Sequence, residues 1–308
     1  MNIKQKLNLI NKKFILGIWN IGIIVEDNAV AKILNRKSKV KIKWLNHNYK
    51  DRFFADPFLF YKDDKFYYIL AEEFIFWENI GKIVLLKIEK ERFCLVDRKV
   101  VIDEKYHLSF PFIDFENKYI LPEGFASGKW YAYKYDDNFN IVDKTEIVNK
   151  PLIDSIIWKH QGKTWLFSSD SNSPLDVERM YCSENGYSGE YRECLCSPIK
   201  CNIKNARSAG NIFSYKGKFI RPVQDSEEIY GCNVRLMEIL NIANDKYEEK
   251  EIGYILSSDY NIMGLHTFNV YDDCIIVDGY NEHYSYLIKP LSIKMPLLLK
   301  KWNSMRRK

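Results

Sequence analysis

The sequence predicts an all-β chain folded as a five-bladed β-propeller, and three observations carry that reading. Phe53 to Phe74 (FFADPFLFYKDDKFYYILAEEF) reads as a β-hairpin: an aromatic-rich run, a polar turn at Lys62 to Lys65, and a second run leading into Glu72 and Glu73. The unit recurs as HLSFPFIDFENKYILPEG from His107, LIDSIIWKHQGKTWLFSSDS from Leu152, ARSAGNIFSYKGKFIRPVQD from Ala206 and GLHTFNVYDDCIIVDGYNEH from Gly264. Aligning the turns at Asp64, Asn117, Gly162, Gly217 and Asp273 and counting back eight residues places Asp56, Ser109, Asp154, Ala209 and Leu265 at one repeat position, 53, 45, 55 and 56 residues apart. A lone hairpin cannot bury its own apolar faces, and repeats of roughly 40 to 50 residues suit four-stranded blades arranged radially.

The remaining elements follow in order. Residues 1 to 13 are basic and polar, and Phe14 to Val25 (FILGIWNIGIIV) is an apolar run. With Lys12 and Lys13 before it, the run imitates a secretion signal. Asn20 interrupts it, Glu26 and Asp27 follow it, and no small-residue cleavage site appears, so a buried strand is expected, placed to close the ring against the last blade. It is too short to span a bilayer. Ala29 to Leu34 is expected as a short helix, and Arg36 to Lys43 (RKSKVKIK) as a strand with one solvated face rather than a nucleic-acid patch. KIVLLKIEK after Gly81, WYAYKY after Lys129 and YGCNVRLMEIL after Ile229 supply outer strands. Residues 1 to 288 thus form one propeller domain and 289 to 308 a basic tail. From His283 onward there is no acid, while Lys289, Lys294, Lys300, Lys301, Arg306, Arg307 and Lys308 add seven positive charges. A short amphipathic helix after Pro296 fits either an anionic membrane surface or the propeller rim.

Composition bounds the function. A chain of 308 residues, 46% hydrophobic, can bury a large core, and its 15% aromatic content suits strands, inter-blade packing and sugar stacking. The net charge of +5 is spread through the body, so no nucleic-acid partner is expected. Seven cysteines, an odd number without framework spacing, favour a reducing, cytoplasmic compartment. Cys194, Cys196 and Cys201 lack the paired C-x2-C spacing of a zinc site, so no metal is expected. There is no Gly-rich phosphate loop, nucleophile elbow or H-E-x-x-H, and no cofactor is expected.

In a propeller the innermost strands line the central funnel. Asp56 and Asp154 share a repeat position, and two carboxylates converging on one cavity are what glycosyl chemistry uses. Either could equally cap a turn. Glu123 in LPEG leaves a carboxylate beside a turn, in the unit that begins with His107. Asp170, Gln224, Asp225 and Asp278 also end second strands, and a recurring acid there has a structural reading, especially at Asp170 and Asp278. The fourth unit brings Arg207 and Asn211 in ARSAGN, Arg221 in RPVQD and Tyr230 in IYG. Its arginines suit a carboxylate or phosphate. His266 in GLHT falls near the Asp56 level.

FFADPFLF, HLSFPF, LPEG, ARSAGN, RPVQD followed by YG, and GLHTFN, in that order, resemble the amino-terminal domain of plant glucosamine inositolphosphorylceramide transferases and their bacterial relatives over Gly17 to Asp278. The resemblance implies an arabinanase-like propeller of the family-43 glycoside hydrolase type, with Asp56 as general base and Asp154 tuning the acid's pKa. Those hydrolases take their acid from a later blade, where this chain has RSAGN, leaving Glu123 as the substitute if it reaches the funnel. Three functions are therefore expected in competition. The first is a cytoplasmic enzyme of capsule, surface polysaccharide or glycolipid assembly, peripheral on the inner membrane, that takes a sugar nucleotide or lipid-linked sugar. The others are a glycoside hydrolase and a non-catalytic glycan-binding propeller.

Overall fold

The computed structural model describes residues 15–36, 39–184, 186 and 189–284. Five antiparallel sheets are arranged as blades. Blade one is β3 (Arg52–Lys62), β4 (Phe66–Ile75), β5 (Ile80–Glu89) and β6 (Cys94–Ile102). Blade two is β7 (Ser109–Asp114), β8 (Tyr119–Glu123), β9 (Trp130–Tyr135) and β10 (Ile141–Val148). Blade three is β11 (Ile153–His160), β12 (Lys163–Asp170), β13 (Ser173–Ser183) and two short outer strands, β14 (Arg192–Glu193) and β15 (Lys200–Cys201). Blade four is β16 (Phe213–Tyr215), β17 (Lys218–Asp225), β18 (Asn233–Ile242) and β19 (Tyr247–Leu256).

Blade five joins the two ends of the chain. β20 (Phe268–Val270) and β21 (Ile275–Tyr284) pair with β1 (Ile15–Ile24) and β2 (Lys43–Trp44), and β1 runs against β21 from Ile15 opposite Tyr284 to Ile24 opposite Ile275. The apolar run before the first repeat is thus the ring-closing strand. The short helix, α1, spans Ala29–Asn35. Among the described residues, the strand expected over Arg36 to Lys43 is reduced to Lys43–Trp44. The reason is packing: Val40 is buried with Ala29 and Ile33 of α1 in the blade four and five core, and Ile42 packs beside them. The expected tail from 289, the 288/289 boundary and any helix after Pro296 lie outside the described residues.

The inner strands are covered on both faces, which is why FFADPFLF is apolar without alternation. Rings interlock between blades: Phe58 of blade one meets Phe110 of blade two edge to face, centroids 5.1 Å apart. Trp130 and Trp165 are fully buried in the cluster joining blades one to three, and truncating such a side chain to Ala costs about 3–5 kcal/mol.

A bulge near the start of the first three inner strands positions the site. Ala55 pairs with Glu72 and Phe58 with Leu70, so Asp56 and Pro57 face the single residue Ala71. Ser109 to Phe112 and Ile153 to Ile156 repeat the pattern. The bulged residues Asp56, Phe110 and Asp154 have φ of +50°, +43° and +43°. A bulge re-aims a side chain out of the strand's alternation. The blade-two equivalent of Asp56 is therefore Phe110, one residue on from the Ser109 that turn counting selects.

Candidate functional site

The bulges bring the blade-one and blade-three aspartates into one cluster. Asp56 accepts the Thr267 hydroxyl at 3.0 Å on Oδ1 and the Phe110 backbone amide at 3.1 Å on Oδ2. His266 Nε2 stands 3.6 Å from Asp56 Oδ1, and His266 Nδ1 stands 2.6 Å from Asp278 Oδ2. Asp278, fully buried, also accepts the backbone amides of Asp56, His266 and Thr267. It fastens blade five to blade one, as the structural reading of the sequence expects. Trp19 of the closing strand stacks on the His266 ring at 3.8 Å.

Across the funnel, Arg207 Nε stands 2.6 Å from Asp154 Oδ2, and the Gln224 amide donates to the same oxygen at 2.8 Å. Glu123 accepts the Asp154 backbone amide at 3.3 Å, and Arg207 Nη2 approaches it to 3.9 Å. Glu123 does reach the funnel. Glu72, the inward member of the Glu72–Glu73 pair, lies 3.3 Å from His107 Nε2, while His107 Nδ1 accepts the Gly81 amide. Glu73 points the other way, into ion pairs with Arg52 and Arg98.

Burial and charge divide these carboxyls into two states. Burial pushes Asp56 up to about 6, against the pull of His266, and the Asp154 charge adds to the rise. Burial also raises Glu72 and Glu123 well above the ordinary carboxyl value, reinforced by Asp56 at Glu72 and by Asp154 at Glu123. Asp154 goes the other way, because Arg207 outweighs its burial. For His266, burial opposes the charge, yet Asp278 and Asp56 prevail and its pKa is raised. Burial lowers that of His107. Burial thus favours the neutral form of Glu72 and Glu123, while Arg207 favours the charged form of Asp154.

The structure brings Asp56, Asp154, Glu123, Arg207, Gln224 and His266 together, with His107 and Tyr230 on the exposed side. Tyr230 is 43% exposed, and the Arg207 guanidinium lies 5.4 Å from its ring centroid. Three expected binding residues are placed differently. Arg221 is wholly buried and committed to Glu249, Glu178 and the carbonyls of Ala206 and Asn205. Asp225 is buried against Arg235. Asn211 donates its backbone amide to Asn269 Oδ1, bracing blade four on blade five. Neither arginine is a free anion receptor, since both are neutralised by carboxylates.

Glu72, Thr267 and Trp19 are the residues that sequence reasoning did not place in the site. For Glu72 the signal was the paired acids, and only the register says which one faces inward. Trp19 comes from the far end of the chain and has no local signal. Ligand atoms of Asp56, His266 and Asp278 lie within 4.8 Å of one another, a grouping able to hold a metal ion. Their hydrogen bonds already use these atoms, and His266 balances the charge, so the set serves equally as a buried ion-pair network.

The molecule so described is a five-bladed β-propeller whose funnel holds a carboxyl-rich cluster. Residues 37–269 match the family described as Glucosamine inositolphosphorylceramide transferase 1, N-terminal, and the chain belongs to that family. The chain is 30% identical over 292 residues to Glucosamine inositolphosphorylceramide transferase 1 of Arabidopsis thaliana, covering 82% of this chain and 37% of that protein. The protein of the same name from Oryza sativa subsp. japonica is 29% identical over 65% of this chain and 28% of its own length. The chain thus spans about a third of the curated relatives it matches. Among solved structures, the α-L-arabinofuranosidase of Podospora anserina superposes with a TM-score of 0.53 at 10% identity, covering 74% of this chain and 90% of that one. The catalytic domain of the family-62 α-L-arabinofuranosidase of Coprinopsis cinerea gives 0.50 at 10% identity, covering 63% and 67%. These likenesses show the propeller fold.

Proposed function

We propose that this propeller is a carbohydrate-active protein of glycolipid or surface polysaccharide assembly, and that its funnel carries glycosyl transfer to or from a lipid-linked sugar. The observation that carries the reading is the Glu123–Asp154 contact, in which burial pushes the pKa of one carboxyl up and Arg207 pulls that of its neighbour down. Adjacent carboxyls driven apart in pKa are the arrangement that acid–base glycosyl chemistry needs. Asp56 takes the proton of the acceptor hydroxyl as its oxygen attacks the anomeric carbon. The bond to the leaving oxygen breaks, and Glu123 returns a proton to that oxygen. Arg207 and Asp154 set the acidity of Glu123 rather than binding substrate directly.

Because both arginines are already paired, the funnel receives the sugar, and any phosphate of a nucleotide or lipid-linked substrate stays at the mouth near His107 and Tyr230. The family relationship supports a sugar or lipid-linked substrate. Seven unpaired cysteines support a reducing, cytoplasmic setting. The test is the pH dependence of sugar transfer across a panel of nucleotide sugars and glycolipid acceptors. Activity should rise through about pH 6 as Asp56 ionises. A profile flat from pH 5 to 8 contradicts the assignment of Asp56.

A second reading, sugar binding without chemistry, has its own support. Both Asp56 oxygens already accept hydrogen bonds from within the protein. It predicts saturable sugar binding with no turnover of any donor.

A further inference from the structure

Glu72 and Glu123 occupy one register position in neighbouring blades. Each stands opposite the residue that precedes the bulge, Glu72 across from Ala55 and Glu123 across from Ser109. Their surroundings differ. Glu123 accepts the Asp154 amide and has the Arg207 guanidinium 3.9 Å away. The Glu72 side chain is only 9% exposed, and among the described residues the one polar partner of its carboxyl is His107, with neither Lys nor Arg paired to it. His107 meets Oε1, so the second oxygen is left to the funnel.

His107 is held in place by a glycine. The Gly81 amide donates to His107 Nδ1 at 2.9 Å, and the Gly81 carbonyl accepts the Leu108 amide at 2.9 Å. A Cβ at position 81 would lie 2.5 Å from the Leu108 carbonyl oxygen, 2.7 Å from His107 Cε1 and 2.8 Å from Glu72 Oε1, so only glycine admits this approach. Because Nδ1 accepts a backbone hydrogen, the ring carries its own hydrogen on Nε2, which stands 3.3 Å from Glu72 Oε1. A second ring proton would set N–H against N–H at Gly81, which disfavours the cation, as burial also does. The His107 side chain, 41% exposed, therefore offers the funnel a neutral donor rather than an anion receptor.

A carboxyl beside a neutral N–H complements a hydroxyl group, which both donates and accepts. We infer that Glu72 and His107 form a hydroxyl-reading subsite, in which the Glu72 carboxyl bonds one ring hydroxyl of the sugar and His107 positions that carboxyl. The pair selects the sugar, apart from Asp56 and Glu123 that act on it, and the subsite rests on the funnel being the sugar site proposed above. The competing role is a structural one, in which the pair only fastens blade two to blade one through Gly81.

The test is titration of the full chain, followed by saturation-transfer NMR, with the methyl glycosides of glucose, galactose, mannose and N-acetylglucosamine, then with the monodeoxy series of the glycoside that binds. The native chain should bind one monodeoxy analogue about tenfold more weakly than its parent, the cost of one hydrogen bond. Glu72→Met should bind the parent about tenfold more weakly than the native chain does and no longer tell the two apart. At position 107 two variants separate the roles: a Gln amide reaches toward Glu72 in place of Nε2–H, whereas an Asn oxygen accepts the Gly81 amide in place of Nδ1. His107→Gln should keep the discrimination and His107→Asn should lose it, whichever melts higher. Should Glu72→Met fold poorly, the two His107 variants decide alone. Equal discrimination by Glu72→Met and the native chain, or by the two His107 variants, overturns the subsite and leaves the proposed function standing. A native chain that binds none of the glycosides contradicts the proposed function, and the subsite with it.

Discussion

Arg207 Nε stands 2.6 Å from Asp154 Oδ2, and the pair is almost closed to solvent, its side chains 11% and 4% exposed. The contact joins blade four to blade three and makes two neighbouring carboxyls behave oppositely. Arg207 favours the charged form of Asp154, and that charge adds to burial in raising the pKa of Glu123.

Replacing Arg207 with Met leaves Asp154 buried without its cation. Breaking one side of such a pair costs about 3–5 kcal/mol. Chemical denaturation at pH 7 measures this. Asp154 has a depressed pKa, so the Arg207 contribution is present above the unfolded carboxyl value and is lost as pH falls through the lower folded value. The difference between native and variant should therefore shrink in acid.

Asp56 carries the opposite sign. Its folded pKa, about 6, exceeds the unfolded value, so ionising it in place costs stability as pH rises from about 4 through 6. Asp56→Asn removes that cost. Relative to the native chain the variant should gain about 1.4 kcal/mol of stability between pH 5 and pH 8. Urea melts at the two values measure it, and a relative loss at pH 8 contradicts the placement of Asp56.

Asp278→Asn should be among the most damaging single substitutions at the blade-five seam. Asp278 accepts three backbone amides and pairs with His266, with both side chains nearly sealed from solvent. A loss of about 3–5 kcal/mol is expected. His266 has a raised pKa, so its contribution is full below about pH 6.5 and disappears as pH rises through the higher folded value. The gap between thermal melts of native and variant should accordingly narrow at alkaline pH, leaving the part due to the three backbone amides.

The propeller was legible because period and apolar runs are local properties: FILGIWNIGIIV closes the ring, and Asp56 and Asp154 occupy equivalent bulges of blades one and three. Ser109 lies one residue short of the blade-two bulge position, because a bulge near Leu59 and Tyr61 and a longer turn before Tyr119 change the spacing in ways that turn chemistry does not reveal. Arg221 and Arg207 look alike in sequence, and only tertiary partners separate the buried structural cation from the one beside the carboxyls. Trp19 on His266 and Thr267 on Asp56 join residues more than two hundred apart, beyond any local pattern.

Asp56 and Glu123 are proposed above to carry sugar chemistry in the funnel. Single-turnover transfer by the native chain, Asp56→Asn and Glu123→Gln, with sugar binding measured on the same preparations, tests that role most directly. Each variant should bind sugar within a few-fold of native and lose about a hundredfold or more in turnover. Turnover equal to native in both variants would contradict it.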